Sequence, residues 1–327
     1  MIYPSFLKKG STIGISAPSA GVGDKLESFE LSEKRLKAQG WHILETEHVR
    51  ISDPRGGSAE ERGKELTSLF ENDAVDAVIA AAGGDFLFEC LPFIDWNVLK
   101  KHPKWIAGAS DPTSILYTLT TKYDIATMYG FNAGSFDAEK LSVYERNALK
   151  FLKGDLAKQN SSRMHASVAG FLPEYKGLDT PTEWKCDSAS LSADGRCIGG
   201  CIDVLKDLIG TRYDDTKAFV RKYKDDGIIW YFDDFSLSAE FLYRTLLQMR
   251  YAGWFEGTKA VILGRVLFPS SETGMSYEDA VHLAFTDIPV IREADIGHTE
   301  PSFTMINGAM MHLEYRNGKG AVSFTLK

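Results

Sequence analysis

Short apolar runs alternate with segments of helical period through the first half of this chain, and that alternation leaves few folds open. Residues 11–16, Ser-Thr-Ile-Gly-Ile-Ser, read as a buried strand, and Ala17-Pro18-Ser19-Ala20-Gly21 supplies the turn after it. Glu27 to Gln39 is amphipathic with a helical period, Gly40 stops it, and Trp41-His42-Ile43-Leu44 starts a second strand. Ser58 to Asn72 reads as a helix opened by the capping box Ser58-Ala59-Glu60-Glu61, and the strand Ala74 to Ala82 follows. Strands that alternate with helices imply an α/β fold with a doubly wound parallel sheet.

A sheet of that kind places its ligand-binding loops at the carboxyl ends of its strands. Two such loops are Gly83-Gly84-Asp85 and Gly108-Ala109-Ser110, the latter following the apolar run Trp105-Ile106-Ala107 and preceding the helix-like Ser114 to Leu119. A serine at an abrupt strand-to-helix turn is exposed beside the unpaired N–H groups of the helix start, which is how an α/β enzyme presents a nucleophile. The closing glycine of G-x-S-x-G is absent, so an ordinary helix start is the competing reading. Pro112 suits a first helical position, and Asp111 keeps its N–H while its carboxylate is available to cap. No G-x-G-x-x-G follows the first strand and no Walker A sequence occurs, which sets nucleotide cofactors aside.

At 327 residues the chain is long enough for two domains. Between Phe151 and Gly195 the sequence turns polar and irregular, with Pro173, Gly177, Pro181 and Asp194-Gly195. The expected division is an N-terminal domain over 1–160, a linker or flap over 161–195 and a C-terminal domain over 196–327. The last part carries a Gly199-Gly200 turn, a helix-like Asp203 to Leu208, a strand Gly227 to Phe232, a helix Ser238 to Ala252 and a strand Ala260 to Gly264. It reads as a smaller, β-rich mixed domain.

Hydrophobic residues at 44% and charged residues at 25% are those of a folded globular protein, and a net charge of -8 disfavours nucleic-acid or anionic-membrane partners. A small-molecule or peptide partner fits better. The first ten residues lack the features of a secretory signal, and no run approaches the 18 to 20 apolar residues of a membrane span, so the chain reads as cytoplasmic. Cys197 and Cys201 have C-x3-C spacing, but no second pair or nearby histidine completes a zinc set, and no metal is expected.

A nucleophilic serine needs a base, and the base needs an acid that holds its ring. His42 and His48 flank a strand, His102 sits in a charged turn and His282 belongs to a helical segment, all common structural settings. His298 differs, because it lies in the loop Asp295-Ile296-Gly297-His298-Thr299-Glu300-Pro301 after the strand Pro289 to Ile291. Its glycine permits close backbone approach. For the acid, Asp233 and Asp234 both follow the apolar strand Ile228 to Phe232, with helix capping as the alternative role.

The segments Ile13-Gly14-Ile15-Ser16-Ala17-Pro18-Ser19, Ala82-Gly83-Gly84, Gly108-Ala109-Ser110-Asp111, Gly199-Gly200, Phe232-Asp233-Asp234, Ile262-Leu263-Gly264 and Gly297-His298-Thr299, in that order over nearly the whole chain, resemble the LD-carboxypeptidase family. That family of serine peptidases includes muramoyltetrapeptide carboxypeptidases and microcin C self-immunity peptidases. The resemblance implies a cytoplasmic, homodimeric enzyme with a Ser-His-Glu triad and no metal or other cofactor. By position, Ser110 is then the nucleophile, His298 the base and Asp233 the acid, with the N–H groups of Gly84 and Asp111 as the oxyanion hole. The implied substrate is a peptide with an L-to-D junction or an aminoacyl-nucleotide analogue.

Three departures from the family pattern bear on specificity. Aspartate replaces the family's glutamate at Asp233, Gly199-Gly200-Cys201-Ile202 stands for the usual Gly-Gly-Asn-Leu, and Asp85-Phe86-Leu87-Phe88 follows the Gly-Gly turn. Asp85, Cys201 and Trp184 are accordingly the expected substrate-binding residues. Leu91 to Trp96 and Glu183-Trp184 lean toward the microcin-immunity branch. The shortened acid also leaves open a non-catalytic ligand-binding protein that has lost its triad.

Overall fold

Thr12–Ser16 forms the first strand, β1, and the predicted alternation continues from it in a computed structural model that describes residues 1–170 and 172–327. After β1 come α1 (Leu26–Ala38), β2 (His42–Glu45), α2 (Ala59–Glu71), β3 (Ala77–Ala80), α3 (Trp96–Lys101), β4 (Trp105–Gly108), α4 (Thr113–Tyr123), β5 (Thr127–Tyr129) and α5 (Val143–Leu152). Strands β3 and β4 are buried at every position, as parallel strands covered on both faces must be. The expected capping box closes the start of α2, with Ser58 accepting from the Glu61 N–H and Glu61 reaching back to the Ser58 N–H.

The chain divides into two compact units, Met1–Ala157 with Thr304–Asn307, and Lys158–Phe303 with Gly308–Lys327. In the first unit the strand order is β2-β1-β3-β4-β5, all parallel. The order reverses between β1 and β3, which makes the carboxyl edge there a topological switch point, the usual place for a ligand in an open α/β sheet. Ser19, Gly84 and Ser110 lie in the loops after β1, β3 and β4, on that edge.

The second unit contains β6 (Gln159–Asn160), β7 (Met164–His165), β8 (Thr180–Pro181), β9 (Lys185–Cys186), β10 (Ser190–Cys201), α6 (Ile202–Leu208), α7 (Thr216–Lys222), β11 (Ile228–Asp233), α8 (Ala239–Tyr251), β12 (Thr258–Gly264), α9 (Tyr277–Ala284) and β13 (Val290–Ala294). Strand β14 (Met305–Asn307) pairs antiparallel with β5 in the first unit's sheet, and β15 (Met310–Arg316) and β16 (Lys319–Thr325) complete the second. The second sheet has the order β6-β16-β15-β10-β11-β12-β13-β9, with β10 to β13 parallel and antiparallel strands outside them. The carboxyl ends of β11 and β13 carry Asp233 and the loop of His298.

Two expectations change here. The stretch 161–195 is not a linker: β7 pairs with β8, β9 joins the sheet edge, and the first half of β10 pairs with β15. Its irregular composition reflects short strands with polar outward faces, and Phe171 within it lies outside the described residues. Gly199-Gly200 is not a turn either, since both residues lie inside β10 and pair with Tyr231 and Phe232. Among the described residues no helix is long and apolar enough to cross a membrane.

Candidate active site

Ser110 sits just past the end of β4 with φ 68°, in the left-handed region that a residue with a Cβ enters at a cost of roughly 1–2 kcal/mol. The surrounding turn holds it there. Its N–H donates to the Tyr129 hydroxyl at 3.2 Å, the Ala109 N–H donates to Asn132 Oδ1 at 3.0 Å, and the Thr113 N–H donates back to the Ser110 carbonyl at 2.9 Å. Gly83 packs against the serine, for a Cβ on Gly83 would lie 2.9 Å from the Ser110 Cβ.

Pro112 is the N-cap of α4, so it stands one position before the helix proper. Asp111 does not cap that helix, contrary to expectation. Its Oδ2 accepts from the Ser19 hydroxyl and, at 2.9 Å, from the Leu87 N–H, which ties the loops after β1, β3 and β4 together. Burial pushes the Asp111 carboxyl above its ordinary value, against the pull of those two hydrogen bonds. With the carboxylate turned to Ser19, the N–H of Asp111 stays without an acceptor among the described residues, and so does that of Gly84. Gly84 has φ 153°, and a Cβ there would lie 2.5 Å from Ser19 Oγ, so no larger residue fits without displacing Ser19. Asp85 is exposed in the same loop.

In the second unit Asp233 ends β11 and is 1% exposed. Its carboxylate oxygens lie 3.0 and 2.9 Å from His298 Nδ1, and Oδ1 also accepts from the His298 N–H at 3.3 Å. Gly297 permits this approach: it has φ 102°, and a Cβ on it would lie 2.0 Å from Asp233 Oδ1. The backbone of the histidine loop thus stands close enough for the short aspartate side chain to reach the imidazole. Nδ1 is engaged by the carboxylate, and Nε2 has no partner among the described residues.

Asp234 has a different part. Its Oδ1 accepts from the Leu237 N–H at 3.0 Å, and its buried Oδ2 has no partner among the described residues. Burial, with the charges of Asp203 and Asp233 beside it, pushes the carboxyl up to about 8, so it is neutral at pH 7 and leaves Asp233 as the carboxylate on the histidine.

Burial lowers the affinity of His298 for a proton, but the charge and hydrogen bond of Asp233 outweigh it and the charge of Asp203 adds to them, so its pKa is raised above 6.5. The His298⁺–Asp233 pair stabilises the fold fully below the unfolded value of about 6.5, and that contribution is lost as pH rises through the higher folded value. A proton-accepting role runs the opposite way, because only the neutral ring accepts. An NMR titration of the imidazole is expected to give a midpoint above 6.5, and kcat/KM to fall below that same pH. A midpoint below 6.5 would contradict both.

Two expected substrate contacts are corrected. Trp184 is 1% exposed, donates from Nε1 to Asp295 Oδ2 at 3.0 Å and packs against Phe303, so it belongs to the core and leaves a substrate little surface to touch. Cys201 is likewise 1% exposed at the end of β10, where burial and the carboxylates of Asp233 and Asp203 push its thiol well above its ordinary value. A buried, protonated thiol offers a substrate little.

Sequence reasoning missed several residues that shape these loops. Asp203 accepts from the N–H groups of Phe235 at 2.9 Å and Ser236 at 3.1 Å, and Phe235 lies 4.7 Å from the His298 ring. Arg62 is fully buried on α2 with Leu66, Leu69 and Phe70. The signal for Arg62 was legible, since a cation occupies the apolar stripe of an amphipathic helix, where only a paired charge is tolerated.

Comparison with known proteins matches the LD-carboxypeptidase N-terminal domain to residues 13–130 and the LD-carboxypeptidase C-terminal domain to residues 194–313. A Vibrio cholerae protein named "Putative carboxypeptidase" is 26% identical over 330 residues, covering 97% of this chain and 96% of its own. The microcin C7 self-immunity protein MccF of Escherichia coli is 24% identical over 331 residues, covering 95% and 92%. Among solved structures, wild-type apo MccF superposes with a TM-score of 0.82 at 22% identity and full coverage of both chains. A muramoyltetrapeptide carboxypeptidase from Oxalobacter formigenes gives 0.75 at 22% identity, covering 96% and 98%. MccF has also been solved in complex with aspartyl sulfamoyl adenosine, with a TM-score of 0.80, 22% identity and full coverage. The fold is shared with these structures.

Proposed function

The chain belongs to the LD-carboxypeptidase family, and from that premise we propose that it is a serine carboxypeptidase acting through an acyl-enzyme on Ser110. The observation that carries this reading is Ser110 held at φ 68° beside the acceptor-less N–H groups of Gly84 and Asp111. Backbone strain of this kind persists where a side chain must be presented.

His298 Nε2 takes the proton of the Ser110 hydroxyl as the oxygen attacks an amide carbonyl, while Asp233 holds the Nδ1–H and stabilises the imidazolium. The oxyanion of the tetrahedral intermediate accepts from Gly84 and Asp111, each such donor being worth about 3–4 kcal/mol in related chemistry. Collapse breaks the C–N bond, and His298 returns the proton to the leaving amine. Water then hydrolyses the ester by the same steps in reverse order.

The reading takes one of two substrate classes: a peptide with an L-to-D junction and a free C-terminal D-amino acid, or an aminoacyl-nucleotide analogue, the latter supported by the MccF complex with aspartyl sulfamoyl adenosine. Incubation with a muropeptide tetrapeptide and, separately, an aspartyl sulfamoyl adenosine, read by mass spectrometry, distinguishes them. One is expected to be cleaved by the wild-type chain and neither by Ser110→Ala. Two intact substrates in the presence of folded wild-type protein would overturn the reading.

A further inference from the structure

We infer that Ser19 and Arg62 are positioning residues that fix the two oxyanion donors, Gly84 and Asp111, relative to each other. The inference rests on the serine-carboxypeptidase reading above. It starts from Ser19, which touches both donor residues: its hydroxyl donates to the Asp111 carboxylate, and Gly84 packs so closely on its Oγ that a Cβ would collide with it. Where Ser19 sits therefore sets where both backbone segments sit.

Arg62 holds Ser19 from the other side. Its Nη1 donates to the carbonyls of Pro18 at 2.7 Å, Ser19 at 3.1 Å and Phe86 at 3.2 Å, and its Nη2 donates to Glu89 at 2.6 Å. One guanidinium thus clamps the loop after β1 to the loop after β3. The planar fork of arginine suits this, because several donors diverge from one rigid group, whereas a lysine ammonium is a single point charge. A fully buried cation is an expensive way to join two loops if packing is the only need. Here its reach carries the positions of Pro18 and Ser19 to Gly84 and Asp111, to neither of which Arg62 donates a hydrogen bond among the described residues.

Donors placed for an oxyanion act on the transition state and not on substrate binding, and a displacement near 1 Å costs about a hundredfold in rate. Ser19→Ala and Arg62→Lys are thus expected to lower kcat by about 10- to 100-fold with KM unchanged. Affinity for a peptide boronic acid, whose tetrahedral adduct presents an oxygen to the same donors, should fall in proportion. The second measurement does not depend on turnover: the amide resonances of Gly84 and Asp111 are followed in full-length Arg62→Lys against wild type, and both are expected to move. A lower melting temperature with unchanged kcat, KM and boronate affinity would overturn the inference, as would unmoved Gly84 and Asp111 amides. If the wild-type chain hydrolyses neither substrate, the function reading falls by itself and the amide resonances alone decide the clamp.

Discussion

Ser110→Gly is expected to abolish turnover, by on the order of 10^6-fold, while the folded state keeps its stability or gains up to about 1 kcal/mol. The two effects come from one cause. At φ 68° the serine Cβ is strained, whereas glycine enters that region freely. Glycine's greater freedom in the unfolded chain takes back part of the gain, about 0.5–1 kcal/mol. The hydroxyl has no hydrogen-bond partner among the described residues, so its removal leaves no buried group unpaired. Urea unfolding and acyl-enzyme mass spectrometry read the two quantities separately. A clearly destabilised variant would mean that the turn, and not presentation of the hydroxyl, is what the strain serves.

The second large effect concerns Asp233. Asp233→Asn keeps the shape at the end of β11 but loses the charge, and a carboxamide in this position favours the wrong imidazole tautomer; the expected loss is about 10^4-fold in kcat. The His298 midpoint should drop at the same time, since the charge and hydrogen bond of Asp233 are what raise it against burial. Asp233→Glu, which only lengthens the side chain, is expected to impair the enzyme as well. The backbone at Gly297 already stands against the aspartate, with a Cβ position 2.0 Å from Oδ1, and an added methylene has nowhere to go without pushing the histidine loop away. Full activity in Asp233→Glu would show that the loop yields easily. Unchanged activity in Asp233→Asn would remove the aspartate from the mechanism.

Much of the fold was legible because its signals are local. The apolar runs of β1, β3 and β4, the amphipathic period of α1 and the Ser58–Glu61 capping box each depend on neighbours within a few residues. The strand-to-helix turn at Ser110 and the glycine before His298 were legible for the same reason. The linker expectation over 161–195 failed because two-residue strands such as β8 and β9 carry no periodicity of their own and are defined by the partner they pair with.

By itself, then, the sequence determined the alternation that builds the first parallel sheet, the edge on which its loops gather, the serine that stands in one of them, and the histidine in the loop after β13. Only the tertiary structure separated Asp233 from Asp234, adjacent residues of which one, at the end of β11, meets His298 while the other, just past it, accepts from the Leu237 N–H with its carboxyl pushed up by burial. It also drew Trp184 and Cys201 into the interior and brought Arg62 to the loops after β1 and β3. Each of these depends on which distant strand ends become neighbours: Asp295 lies 111 positions from Trp184, and Pro18 lies 44 from Arg62. Local propensity sets what a segment becomes, while burial and charge are properties of the company it keeps.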